Sequence, residues 1–265
     1  MSHPDTHTLS LNASATSLAV VGGKGQSLAA MARAGMPVPA GFHLTTSAYR
    51  RFVEDHQLQG QILDLARPTV SEGSISFASA SSAIQELFET AALSAELVAE
   101  IRKARSDLQI GSKRSHEPVA VRSSATAEDL PGTSFAGQQD TYLNVRGDQA
   151  LLSAIRNCWA SLWSVRAMSY RHQMGIDHDQ VAMAVVIQRM VAAEVSGVLF
   201  TANPASGDRE EMIVNASYGL GEAIVSGEVT PDTYVLDRAA VSAKEIIIGT
   251  KQQMVIASGD EGTKS

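Results

Sequence analysis

The hydrophobic period of this chain changes once along its length, and that order limits the folds open to it. Apolar residues recur at helical spacing as far as about Arg105: Leu28, Met31 and Ala32, then Tyr49, Phe52 and Val53, then Ile84, Leu87 and Phe88, then Leu93, Leu97, Val98 and Ile101. From Val181 the apolar runs are short and strand-like, at Met183 to Ile187, Val195 to Phe200, Met212 to Val214, Tyr234 to Leu236 and Ile246 to Ile248. Helices early and strands late predict the α+β class rather than repeated βαβ units. Between the two regimes, Pro118 to Val121 reads as a short strand leading into Arg122, and a turn-rich loop runs on to Gly137. A strand at Tyr142 to Val145 and helices around Leu151 to Trp159 and Trp163 to Met174 follow. Residues 67–82, rich in Ser, Gly and Pro, read as a loop. The chain thus divides into a polar lead (1–17), a helical and mixed subdomain (18–117), a β-rich subdomain (118–256) and a polar, unstructured tail (257–265).

Composition narrows the function classes. With 44% of its 265 residues apolar and 18% charged, the chain can bury a core of its own. Its 21 Lys and Arg face 28 Asp and Glu, a net charge of −7 with no basic run, which argues against nucleic acid as a partner. An acidic chain that handles an anion needs a few well-placed cations instead. The lone Cys158 excludes a disulfide framework. No basic n-region precedes an apolar stretch at the start, and no apolar run reaches the roughly 18–20 residues that span a bilayer. The expectation is a cytoplasmic chain with no membrane partner.

Several segments could carry chemistry. Gly22-Gly23-Lys24-Gly25 could bring backbone N–H groups and one ammonium to a phosphate; equally, it could be a turn that needs glycine for positive φ. It is not a Walker A loop, since that motif would not have Leu18 at its first position. Arg122, at the expected strand end, could fork onto phosphate oxygens, or pair with Glu128 or Asp129 at the surface. Thr133, Ser134, Gly137 and Gln138 suit a loop folded over a triphosphate, as they suit any turn-rich loop. Gln188, Met190 and Val191 end an apolar strand whose backbone and side chains could border an adenine, or leave a core sheet. Gly219-Leu220-Gly221-Glu222 opens like a dinucleotide fingerprint but has Ile224 where the third glycine belongs. The seven histidines show no metal spacing and read mostly as solvent or cap residues, and Ser123 and Ser124 lack a nucleophile elbow.

Four stretches in order resemble a known family: VGGKGQSLAAMARAGMPVPAGFHLTTSAYRRF, VAVRSSATAEDLPGTSFAGQQDTYLNV, VIQRMVAAEVSGVLFTANP and ASYGLGEAIVSGEVTPDTYVL. Over roughly residues 18–250 the chain is similar to the amino-terminal ATP-binding module of phosphoenolpyruvate synthase, pyruvate phosphate dikinase and rifampicin phosphotransferase. The resemblance implies an ATP-grasp-like fold, with ATP and Mg²⁺ as ligands. Lys24 and Arg122 correspond to the family's phosphate-binding cations, Gly23 to the same loop, and Thr133, Gly137 and Gln138 to its phosphate-covering loop. Gln188, Met190 and Val191 correspond to the adenine-side strand, and Glu222 to a position near the ribose or a metal. In the family a phosphoryl group passes from ATP to a histidine on a swivelling domain and then to an acceptor such as pyruvate, in a pyruvate, water dikinase reaction. The family's later acidic residue, its Gln-x-Arg-Pro stretch, the phosphohistidine motif and the acceptor domain have no counterpart in these residues. That implies a truncated chain or one subunit of a split enzyme. The alternatives are the ATP module of a rifampicin phosphotransferase and a catalytically silent nucleotide-binding subunit.

Overall fold

The computed structural model describes residues 6–14, 16–71, 74–109, 117–126 and 140–265. The chain forms two compact units, 1–190 and 191–265. In the first, β1 (Thr8–Ser10), α1 (Leu18–Arg33), β2 (Gly41–Leu44), α2 (Thr46–Asp55) and α3 (Leu58–Leu65) come first. They are followed by β3 (Thr69–Ser71), β4 (Ser74–Ser76), α4 (Ala78–Thr90) and α5 (Ala95–Gln109). Then come β5 (Val119–Ala125), β6 (Thr141–Val145), α6 (Gly147–Ser161), α7 (Val165–Met174) and β7 (Met183–Arg189). Five strands pair antiparallel in the order β1-β2-β7-β5-β6.

Side chains alternate across a strand, so each central strand serves two layers. Val119, Val121 and Ala125 of β5 and Met183, Val185 and Ile187 of β7 enter the main core with residues of α2, α4 and α6. Ala120, Arg122 and Ser124 turn to the opposite face, against which α1 packs. Six of the seven residues of β7 are buried, as expected of a strand covered on both faces. The core centres on Trp159 of α6, with Phe52 at 5.1 Å and Tyr49 at 6.0 Å between ring centroids. Trp163 donates its Nε1 hydrogen to the Tyr49 hydroxyl at 3.2 Å, and burial pushes the phenol up to about 12.

Behind Trp163 lies a buried cation. The Arg171 guanidinium sits 5.1 Å from the indole centroid, and its Nε donates to His178 Nδ1 at 3.0 Å. Burial, then the charges of Arg171 and His172, pull His178 from 6.5 down to about 4. The unfolded chain therefore takes up a proton at this ring near pH 6.5 and the folded chain only near pH 4, so stability falls as pH drops through that window. His178→Asn keeps an acceptor for Arg171 without the titration. Its melting temperature is expected to decline less between pH 6.5 and 4 than that of the unchanged protein, and equal slopes would refute the assignment.

In the first unit three sequence expectations change. The 67–82 loop holds the β3–β4 hairpin, with Val70 opposite Ile75, and the first turn of α4; the serines around each short run hide its alternation. β5 continues past Val121 to Ala125, because tertiary partners take up its hydroxyls: Ser123 donates to the Asp140 carbonyl at 3.0 Å and Ser124 to the Val21 carbonyl at 2.7 Å. The division expected after residue 117 falls inside the first unit, since β7 pairs with β2 on one side and β5 on the other.

The second unit contains β8 (Val195–Phe200), β9 (Glu211–Tyr218), α8 (Glu222–Val225), β10 (Asp232–Asp237), β11 (Ser242–Ile247), β12 (Ile256–Ala257) and β13 (Thr263–Lys264). Its main sheet is antiparallel, in the order β11-β10-β9-β8. Leu199, Val214, Tyr234 and Ile246 stand in one row across all four strands, and Leu199 and Ile246 are each more than half exposed. The tail expected to be unstructured instead pairs β12 with β13. Among the described residues, no helix is long and apolar enough to cross a membrane.

Candidate functional site

The glycine-rich segment is a break in a helix. Residues 18–21 form a helical turn, Gly22 leaves helical geometry at φ 68° and ψ 177°, and the helix resumes through Arg33. A β-carbon at Gly22 would lie 2.1 Å from the Ser124 carbonyl oxygen and 2.4 Å from its Oγ, so the break rests directly on β5. The Ser124 hydroxyl accepts from the Gly25 N–H at 3.0 Å and donates to the Val21 carbonyl. The two readings of the tetrapeptide are thus compatible: the turn needs positive φ, and it opens a helix at Gly23 and Lys24.

His43 of β2 is packed against Gly25, at 3.1 Å from where a β-carbon there would lie. It is fully buried, and its Nε2 lies 3.3 Å from the Leu11 carbonyl. A carbonyl only accepts, so the proton is on Nε2 and Nδ1 is bare, without a partner among the described residues. Burial lowers this imidazole's pKa, and the ring stays neutral against the helix start.

Arg122 lies on the same face of β5 as Ser124, half-buried, two residues before it. The register His43, Val186, Arg122, Thr141 crosses β2, β7, β5 and β6. Arg122 makes no side-chain hydrogen bond or ion pair with any described residue; Glu128 and Asp129 lie outside them. Lys24 has interactions of its own, and its charge reaches Cys158, whose thiol is driven up by burial first and by Asp140 second. That fully buried thiol is an inert packing group.

Gly23 and Lys24 thus follow a break that rests on β5, the strand that carries Arg122. Gln188 shares the face of the sheet that bears Arg122, opposite Ala120, but its amide donates to the Pro39 carbonyl at 3.0 Å. The Met190 N–H donates to the Pro118 carbonyl at 3.1 Å. Val191 and Glu222 belong to the second unit. There Glu222 starts α8 and its carboxylate accepts from the Thr263 hydroxyl at 2.9 Å. Thr133, Gly137 and Gln138 lie outside the described residues. Among the described residues, no three His, Cys, Asp or Glu side chains gather as a metal ligand set. A cavity of about 490 Å³ between α5 and the β1–β2 edge, lined in part by Phe42, Lys103 and Arg189, contains none of the candidate residues.

The sequence reading misses Ser124 as a structural partner and His43 as a packing one. Alternation from Arg122 would have found Ser124 had β5 been extended, whereas nothing local marks His43.

The residues so arranged fall within a stretch of known type. Residues 18–265 match the model of the pyruvate phosphate dikinase AMP/ATP-binding domain. A probable phosphoenolpyruvate synthase of Pyrococcus abyssi is 41% identical over 275 residues, covering 92% of this chain and 34% of the relative. The one of Methanocaldococcus jannaschii is 41% identical over 245 residues (92% and 21%), and that of Archaeoglobus fulgidus 44% over 236 residues (89% and 31%). The chain thus spans about a third of the relatives' length or less, and their names do not favour the rifampicin alternative. With a glycine-broken helix start set against an arginine-bearing strand, and a family match that takes in both, this chain belongs to the pyruvate phosphate dikinase AMP/ATP-binding domain family.

Proposed function

We propose that the chain is the nucleotide-binding module of a phosphoenolpyruvate-synthase-type phosphotransferase, ATP-grasp-like in arrangement and cytoplasmic. The observation that carries the reading is the contact between the Gly22 break, which Lys24 follows, and β5, the strand that carries an Arg122 with no ion-pair partner among the described residues. Phosphoryl transfer asks a protein for positioning and charge neutralisation more than covalent chemistry. Lys24 and Arg122 supply charge to the phosphates from two separate elements, and the N–H groups at the resumed helix start add dipole. The loop with Thr133, Gly137 and Gln138 covers the phosphates, while Gln188 and Met190 border the nucleoside. Mg²⁺ comes with the nucleotide; the described residues present no ligand cluster for it. The phosphoryl group passes to a histidine of another domain or subunit, and from there to the acceptor.

Calorimetric titration with Mg-ATP tests this. Lys24→Ala and Arg122→Ala are each expected to weaken binding about 10- to 100-fold, the scale of a lost charge-assisted hydrogen bond. Melting temperatures should barely change. Affinity within twofold of the unchanged chain in both variants would reject the site.

A further inference from the structure

We infer that Ser124 is a positioning residue that props the α1 break open and so fixes Lys24 relative to Arg122. The two groups its hydroxyl joins, the Val21 carbonyl and the Gly25 N–H, are four residues apart. They are the pair an unbroken α-helix would bond directly. Here one buried oxygen is inserted between them, at 2.7 Å from the first and 3.0 Å from the second, and a side chain inserted into the helical ladder is a recognised cause of a kink. The hydroxyl comes from the strand that carries Arg122, two residues away on the same face. A single group therefore sets both the opening of the turn and its distance from the second cation. Gly22 is the complement, since only a residue without a β-carbon admits the Ser124 backbone and hydroxyl at this range.

Without the hydroxyl, the Val21 carbonyl and the Gly25 N–H are free to bond to each other. The helix straightens, and Gly23 and Lys24 turn away from Arg122. The inference rests on the proposed phosphate-binding role of this turn, and its test separates the two ideas. Binding of Mg-ATP and of adenosine is measured for the unchanged chain, Ser124→Ala and Lys24→Ala, with melting temperatures alongside. In Ser124→Ala, Mg-ATP is expected to bind about tenfold more weakly, the scale of two ordinary hydrogen bonds. Adenosine, which has no phosphate, should bind within about twofold of the unchanged chain by the same reasoning. A parallel loss for both ligands would mean a merely structural serine and overturn the inference. So would unchanged Mg-ATP affinity in Ser124→Ala alongside a loss in Lys24→Ala. Unchanged affinity in both variants would overturn the phosphate-binding reading, and the inference with it. Should Ser124→Ala not fold, Ser124→Cys, whose larger and weaker acceptor spreads both bonds, is read in the same way.

Discussion

Gly22→Ala is expected to destabilise the fold by about 3 kcal/mol or more, through left-handed strain and overpacking together. The added methyl would meet the Ser124 carbonyl oxygen at 2.1 Å and its carbonyl carbon at 2.5 Å. Those are backbone atoms of a central strand bonded on both sides, so neither can swing clear. Relief requires α1 to lift from β5, which also breaks both Ser124 hydrogen bonds. Gly35→Ala provides the control: it has φ 77° but no atom within 4 Å of the new β-carbon, so it isolates the conformational cost, about 1 kcal/mol. Urea unfolding of the two variants gives the comparison, provided the m-values agree. Equal losses would show that the contact with β5 contributes nothing. Mg-ATP binding should disappear in Gly22→Ala and persist in Gly35→Ala.

Trp159→Ala is the second large effect, expected to cost about 3–5 kcal/mol. The indole is fully buried between α6, α2 and the sheet, and both Phe52 and Tyr49 are in ring contact with it. Its neighbours are held in turn by Phe88, stacked on Tyr49 at 6.1 Å and on Phe52 at 5.6 Å, so the site has little freedom to collapse. A loss below about 1 kcal/mol would mean that the cluster repacks. The core matters to the candidate site because Val119 and Val121 face it while Arg122 and Ser124 face away. The packing beneath the sheet holds the strand on which the site is built.

Much of this arrangement was legible in the residues themselves. The late strands were readable because runs such as Met183 to Ile187 are apolar throughout, and the helices because residues such as Tyr49, Phe52 and Val53 repeat on one face. The Gly22 to Gly25 turn was readable because glycine has few other reasons to cluster before a helix. What escaped depended on partners distant in sequence. Arg122-Ser123-Ser124 has the composition of a loop; it is a strand because Asp140 and Val21, far along the chain in opposite directions, accept its hydroxyl hydrogens. His43 is one aromatic residue in a short strand, and its place against Gly25 follows from how α1 crosses β2, which no local pattern encodes. The tail pairs as β12 and β13 through backbone bonds that its polar side chains do not announce.

The sheet of the second unit has a consequence for how the molecule comes apart. On its four strands only Ile213 and Ser217 are buried, whereas β5 and β7 are buried almost throughout. The cost of opening a segment rises with the apolar contact it must give up, so backbone amides of β8 to β11 exchange with solvent through cheaper excursions than those of β5 and β7. The strand bearing Arg122 and Ser124 is thus the rigid reference of the chain.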